Sequence, residues 1–349
     1  MILTVGWQAP TRDPVTGRLL AHPERFPSGI KALADKIHSK GLKLGIYSDS
    51  GVWTCQRRPG SGGYELLDAQ TFSDWGIDYL KLDNCFTNVL GSAEARYQKM
   101  STALATVKRE IFFSLCNWGQ EKPWEWGPYI GDAWRVTGDI GDLWEAKTAR
   151  DWWNCPCTTL SCSKVVLSGG HGCSVMNILN KIAQVTSATS ELGFSDPDML
   201  EVGNGGMTFE EYKSHFSLWA ALRSPLLIGT DLVASSAETL QILSNKHVIS
   251  VNQDPLKVSI SRATNERDHQ IWMGPVSDAL KVVIVLNTLN QARNISLTIE
   301  DFGLKLDDPN TQYELFDLWT EQRMIVGKSF TSTLAAHGVW MVKVYQQSR

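Results

Sequence analysis

Gly76-Ile77-Asp78-Tyr79-Leu80-Lys81-Leu82-Asp83-Asn84-Cys85 holds a helix stop, an apolar run and an acidic end in a single short stretch. The helical pattern over 65–75 halts at Gly76, since glycine takes the left-handed conformation that closes a helix without steric cost. The apolar run after it is too short for a helix and reads as a buried strand ending at Asp83. The same cycle recurs on both sides. Upstream, a helix over 28–40 puts Ile30, Leu33, Ala34 and Ile37 on one face and stops at Gly41, before Leu42-Lys43-Leu44-Gly45-Ile46-Tyr47-Ser48-Asp49. Downstream, a helix over 93–107 leads to Ile111-Phe112-Phe113-Ser114-Leu115-Cys116-Asn117-Trp118. Trp134-Arg135-Val136-Thr137-Gly138-Asp139 follows, then Gly193-Phe194-Ser195-Asp196-Pro197-Asp198-Met199-Leu200. A helix over 208–223 leads to Pro225-Leu226-Leu227-Ile228-Gly229-Thr230-Asp231. Strands alternating with helices at roughly 30-residue spacing predict βα units around a parallel sheet from about 27 to 232.

After about 262 the texture changes. Short runs rich in β-branched and aromatic residues, at 270–273, 280–286, 295–299, 313–316 and 340–344, are separated by turn residues. They predict a small antiparallel sandwich. The expected division is a catalytic domain over 1–258 and a sandwich over 259–349.

The 349 residues, 43% hydrophobic and 20% charged with a net charge of −4, are ample for a large core and a second domain. No run of about 18 apolar residues occurs, which excludes a transmembrane helix. The mild acidity and the lack of Lys/Arg blocks argue against nucleic acid or an anionic membrane as partner. The first residues are too few and too uncharged for a secretory signal.

Strand ends carry the chemistry. Asp49, Asp83, Asn117, Asp139, Asp198 and Asp231 each follow an apolar run, and in a βα barrel such ends share the face that holds the active site. A single Asp there could merely cap the next helix; a repeated series, accompanied by tryptophans, reads as a site. Tryptophan occurs 14 times, seven of them between Trp118 and Trp153. An acidic, tryptophan-rich mouth suits a sugar, whose hydroxyls seek carboxylates and whose C–H faces pack on indole. Glycoside cleavage needs two carboxyl groups, although an aldolase, a dehydratase or a metal-dependent hydrolase could also use a ring of Asp. No His-x-His, His-Glu-x-x-His, Gly-x-Gly-x-x-Gly, phosphate loop or Gly-x-Ser-x-Gly is present. No metal and no cofactor is therefore expected.

Six stretches resemble, in order, the signatures of the α-galactosidase (melibiase) family, glycoside hydrolase family 27, with wording nearest to fungal members. They are Leu44-Gly45-Ile46-Tyr47-Ser48-Asp49, Leu80-Lys81-Leu82-Asp83-Asn84-Cys85, Trp134-Arg135-Val136-Thr137-Gly138-Asp139, Asp196-Pro197-Asp198-Met199-Leu200-Glu201-Val202-Gly203-Asn204, Ser224-Pro225-Leu226-Leu227-Ile228-Gly229-Thr230-Asp231-Leu232 and Val251-Asn252-Gln253-Asp254-Pro255-Leu256. The resemblance covers nearly the whole chain. It implies a secreted, retaining exo-α-galactosidase that removes terminal α-linked D-galactose from oligosaccharides, galactomannans or glycoconjugates. Asp83 would be the nucleophile, and Asp139 the acid that protonates the leaving oxygen and then the base that activates water. Lys81 would bind sugar hydroxyls and hold Asp83 ionised. Tyr47 and Trp118 would line the pocket, and Arg135 and Asp198 would bond the 2-OH region. Asn117 stands where the family separates galactose from N-acetylgalactosamine; the bulk of Asn117-Trp118-Gly119-Gln120 favours galactose.

The departures from the family matter equally. Relatives end their second strand in Asp-Asp-Cys-Trp, a pair of carboxylates that grips the 4- and 6-hydroxyls. Here Ile2-Leu3-Thr4-Val5-Gly6-Trp7 stands in that place, with Thr4 and Val5 at the two Asp positions. The fold expected is therefore an α/β (β/α)8-type barrel lacking its first strand and helix, plus the C-terminal β-sandwich. Losing two acceptors, at roughly 1.5–3 kcal/mol each, predicts a deficit on the order of 10²–10⁴ in kcat/KM. The alternative is a silent sugar-binding paralogue or a non-folding fragment. Ser163-Lys164-Val165-Val166-Leu167-Ser168-Gly169-Gly170 looks like extra sequence, either retained intron or a tolerated loop.

The resemblance also sorts the seven cysteines. Cys55 and Cys85 look like a disulfide pair. Cys155, Cys157, Cys162 and Cys173 would form two more, with no bond between Cys155 and Cys157, which leaves two connectivities. Zinc is the alternative for this quartet, although Cys-x-Cys is a poor spacing for it. Cys116 is left as a buried thiol, since Gly131 stands where relatives carry its partner. Asn294-Ile295-Ser296 is an N-glycosylation acceptor. The partner expected is a galactoside; the oligomeric state, a homo-oligomer included, stays open.

Overall fold

The computed structural model describes residues 1–87, 90–145, 172–189, 192–305 and 311–346. The chain divides into two compact units, one comprising Met1–Gly138 and the other the described residues from Asp139 onward.

In the first unit, α1 (Gly29–His38), β1 (Gly45–Asp49), α2 (Glu65–Asp74), β2 (Tyr79–Asp83), α3 (Ala93–Leu104), β3 (Phe112–Leu115), the short α4 (Pro123–Trp126) and β4 (Ala133–Arg135) alternate as the sequence predicts. β1 pairs with β2, β2 with β3 and β3 with β4, all parallel. Every residue of β1 is buried, as expected of a strand covered on both faces. Register positions the chemistry: Tyr47 lies opposite Lys81, and Asp49 opposite Asp83. Lys81 in turn lies opposite Ser114. The first residues extend the sheet on the free side of β1. Ile2 bridges Gly45 in parallel, the Leu3 N–H donates to the Gly45 carbonyl (2.9 Å), and the Gly45 N–H donates to the Met1 carbonyl (2.7 Å). Thr4, exposed, and Val5, half-buried, therefore follow the carboxyl end of a strand-like segment beside β1.

In the second unit, Ile140 bridges Cys173. α5 (Val175–Ile182) is capped by Ser174, whose hydroxyl oxygen accepts the Asn177 N–H. It buries Val175, Ile178, Leu179 and Ile182, an i, i+3, i+4, i+7 stripe that the sequence reading passed over. β5 (Phe194–Asp196) follows, then α6 (Phe209–Ala221), opened by a Thr208/Glu211 capping box. α7 (Ala237–Leu243) and α8 (Lys246–Asn252) come next. The strand expected over 225–231 is not formed. Only Ile228 bridges Leu200, because the Leu227 N–H turns back onto the Pro225 carbonyl (2.9 Å) and residues from Ile228 onward run into solvent.

The C-terminal strands are antiparallel. β6 (Ser261–Asn265), β7 (His269–Val276), β8 (Ala279–Asn287), β10 (Tyr313–Asp317), β11 (Arg323–Val326) and β13 (Val339–Gln346) form one sheet in the order β11-β10-β13-β8-β7-β6. β9 (Arg293–Thr298) and β12 (Ser329–Leu334) form a second. Ile271, Val283, Val285, Leu297, Phe302, Leu315, Trp340 and Val342 fill the core. Within this unit α6 bonds to the strand region: the Ser214 hydroxyl donates to the His337 carbonyl (2.6 Å) and the Trp319 indole donates to Ser217 Oγ (2.9 Å). Among the described residues no helix is long and apolar enough to cross a membrane.

Candidate active site

Two clusters of the expected residues form, one in each unit. In the first, β2 ends in Asp83, whose carboxylate is 8% exposed. The Tyr47 hydroxyl donates to Asp83 Oδ2 (2.8 Å), and the Asn84 N–H donates to Oδ1 (3.0 Å). Burial, followed by the charges of Asp83 and Asp49, pushes the Tyr47 hydroxyl far up, so it stays a proton donor. Asp49, fully buried at the end of β1, accepts the N–H groups of Gly51 (2.8 Å) and Cys85 (3.1 Å). Burial and then the charge of Asp83 push its carboxyl well above the usual range. Two adjacent buried carboxyls do not both ionise readily, and Asp49, the more deeply buried of the two, is the one pushed toward its neutral form. Lys81, half-buried two residues before Asp83, shares its side of the strand.

The predicted Cys55–Cys85 disulfide is formed, with Cα atoms 5.3 Å apart. Cys55 Sγ lies 3.2 Å from Asp83 Oδ2. Oxygens of Asp49 and Asp83 and both sulfurs all come within 4.8 Å of one another. A disulfide sulfur is not a thiolate ligand, so only the two carboxylates remain, too few for a protein-held zinc site.

Asn117 is fully buried and its amide donates to the Gln120 carbonyl. Trp118 takes a left-handed φ of 56°, and the next residue, Gly119, lies so close to Val136, just past β4, that a Cβ there would meet the Val136 carbonyl oxygen at 2.2 Å. Trp118 packs with Cys85 and Cys116, Cys55 lying against them. Arg135 is completely buried and donates to the carbonyls of Gly138 (2.8 Å) and Thr137 (3.3 Å), with Cys116 Sγ at 3.5 Å. Cys116 is a buried thiol. At Gly131 the Leu115 side chain fills the space a Cβ would take, with Cδ1 at 2.0 Å.

In the second unit Asp139 is exposed, and its carbonyl accepts the Cys173 N–H (2.6 Å). Asp198 is buried with φ 83°. Its Oδ2 accepts the Ile140 N–H (2.8 Å), its N–H donates to Asp196 Oδ1 (2.8 Å), and its carbonyl accepts the Trp219 indole (2.8 Å). Asp198 thus clamps the peptide that directly follows Asp139. A strained backbone so thoroughly bonded is typical of functional positions. Asp231, by contrast, sits in an exposed turn and accepts the Val233 N–H (2.9 Å), while Ser236 caps the helix that follows. Cys173 is disulfide-bonded; Cys155, Cys157, Cys162 and the stretch 163–170 lie outside the described residues. Asn294 is exposed on β9, and the Thr333 hydroxyl donates to its Oδ1 (2.7 Å).

The sequence reading missed the support around these residues. Arg96 donates to Asn84 Oδ1, and Asn84 Nδ2 donates to Gln120 Oε1 (3.2 Å). Glu201, in the Asp196–Asn204 motif, is raised to about 7 by burial, opposed by the Asn204 amide and reinforced by the charges of Asp142 and Asp198. The unfolded carboxyl ionises near 4.5, so the folded chain holds the extra proton above that value. The contribution of Glu201 to stability is intact below the unfolded pKa and is lost as pH rises through about 7. Asp49 acts with the same sign. Buried His215, lowered to about 3, acts with the opposite sign below its unfolded value of 6.5, so the difference between variant and unmodified chain isolates Glu201. In thermal melts Glu201→Gln should gain in Tm relative to the unmodified chain as pH rises from about 5 to about 8. A Tm difference that does not change over that range would exclude the role given to Glu201.

A family model described as "Alpha galactosidase A" matches residues 1–163 and 170–254, breaking where the extra stretch was expected. A second, "Alpha galactosidase C-terminal beta sandwich domain", matches 266–344. Alpha-galactosidase mel1 of Schizosaccharomyces pombe is 41% identical over 352 residues, covering 97% of this chain and 79% of that protein. The crystal structure of alpha-galactosidase I from Mortierella vinacea superposes with a TM-score of 0.90 at 39% identity, covering 100% of this chain and 88% of that one. The Saccharomyces cerevisiae enzyme with raffinose gives 0.88 at 30% identity, covering 99% and 89%.

Proposed function

Since the chain belongs to the α-galactosidase family, family 27 of the glycoside hydrolases, we propose that it removes terminal α-linked D-galactose by double displacement. It is an α/β enzyme of the (β/α)8 class with a C-terminal β-sandwich; the catalytic domain is taken as 1–258 and the sandwich as 259–349. Asp83 attacks the anomeric carbon while Asp139 gives its proton to the leaving oxygen, so that a galactosyl ester forms on Asp83 and the aglycone departs neutral. Asp139, now a carboxylate, takes a proton from water; the hydroxide equivalent displaces Asp83, and galactose leaves with its original configuration. Lys81 and Trp118 bind the sugar, Arg135 and Asp198 serve the 2-OH region, and Asn117 admits galactose.

The observation that carries the reading is the buried Asp83 carboxylate held by a phenol and a backbone amide. Those two donors fix its aim and hold its charge, as a nucleophile requires. Tyr47 donates to one oxygen throughout and so stabilises the carboxylate each time it is released. Secretion, and glycosylation at Asn294, follow from the same reading and from the disulfides. The comparisons give no support to the alternative of a silent or non-folding chain.

The test is hydrolysis by the purified chain. Galactose should be released from p-nitrophenyl α-galactoside and melibiose, and not from the β-anomer. Activity confined to the β-anomer, or to an N-acetylgalactosaminide, would contradict the assignment.

A further inference from the structure

Two aromatic side chains stand in the open on the loops that leave the carboxyl ends of β1 and β2: Trp53, 46% exposed, and Phe86, 37% exposed. Neither belongs to the machinery described above, and the backbone beneath both is heavily constrained. The Cys55–Cys85 bridge joins their loops, with Cα atoms 5.3 Å apart. Trp53 is two residues from Cys55 and Phe86 one from Cys85, so their Cα atoms lie within about 7 and about 4 Å of that bridge. Trp53 bridges Pro59 across the β1 loop, and the Gly60 N–H donates to the Val52 carbonyl (3.0 Å). The loops press together at Gly51, where a Cβ would meet the Cys85 carbonyl oxygen at 1.8 Å. Phe86 and Arg57 both hold left-handed φ values, 50° and 55°, a conformation that costs a side-chain-bearing residue on the order of 1–2 kcal/mol. The Arg57 guanidinium lies 5.4 Å from the Phe86 ring centroid.

Burial would ordinarily remove such rings from water. Here cross-linked and strained loops keep them presented, which is how binding surfaces are built. The same bridge reaches the reactive carboxylate, since Cys55 Sγ is 3.2 Å from Asp83 Oδ2. Exo-cleavage places the galactosyl unit on Asp83 and directs the rest of the substrate outward. A pyranose ring offers the C–H face that indole and phenyl rings take. Resting on the α-galactosidase reading, we propose that Trp53 and Phe86 form an aromatic subsite for the leaving sugar, making oligosaccharides the favoured substrate class over galactosides with a small leaving group.

The test compares raffinose and melibiose with α-galactosyl fluoride, which carries no leaving ring. Trp53→Ala should lower kcat/KM for both oligosaccharides about tenfold, mainly through KM. The fluoride should change less than about twofold. Trp53→Phe should keep most of the activity, and Phe86→Leu should show the same selectivity with a smaller effect. Equal losses on sugar and fluoride, or no loss on either, would overturn the subsite. Failure of the unmodified chain to release galactose from any of the three would instead remove the α-galactosidase reading, and the subsite with it.

Discussion

Asp83→Asn is expected to lower kcat for p-nitrophenyl α-galactoside on the order of 10⁴-fold or more, with little change in KM. The amide is nearly isosteric and still accepts a hydrogen bond from Tyr47, so binding and folding persist while the attacking charge is gone. Tm should shift only slightly, and upward if anything, because the anion beside buried Asp49 is removed. Asp139→Asn should behave differently. An aryl leaving group needs little protonation, so the first step survives; the second, which needs a base for water, slows by roughly 10²–10⁴. The signature is a burst of p-nitrophenol followed by slow turnover. Parallel losses without a burst would argue against the roles assigned to the two residues.

Restoring the carboxylate pair is expected to produce the largest gain. Thr4 and Val5 follow the segment that pairs with β1, at the end of the sheet where Asp49 and Asp83 stand. Galactose hydroxyls meeting a threonine and a valine there lose two carboxylates. Thr4→Asp with Val5→Asp should raise kcat/KM for melibiose on the order of 10²–10⁴-fold, at roughly 1.5–3 kcal/mol for each charged hydrogen bond. Thr4 is exposed and its replacement should be nearly neutral for stability; half-buried Val5 should cost about 1 kcal/mol. Activity unchanged by the double variant would mean that these positions do not touch the sugar.

Much of this was legible in the chain itself. Apolar runs closed by Asp placed β1 and β2 correctly, because a strand buried on both faces leaves an unbroken apolar signature. Asp49 and Asp83 stood out for the same reason. Asp231 carried an identical signature and proved to sit in an exposed turn: local sequence does not register that Pro225 and a single bridge leave no ladder to join. β11 and β12 went unread, since the apolar run of β11 is only the three residues Met324-Ile325-Val326 and Ser329–Leu334 alternates. The supports of the site, Arg96 on Asn84 and the Ile140 amide on Asp198, join residues far apart in sequence. Nothing in their spacing announces the contact.

The central claim is that Asp83 carries the galactosyl group. Asp139→Asn mixed with p-nitrophenyl α-galactoside, quenched in acid within the burst and digested, tests it by mass spectrometry. The account predicts one galactosyl residue on the peptide containing Asp83, absent when Asp83→Asn is added. A galactosyl adduct on a different peptide, or a burst with no adduct at all, would contradict it.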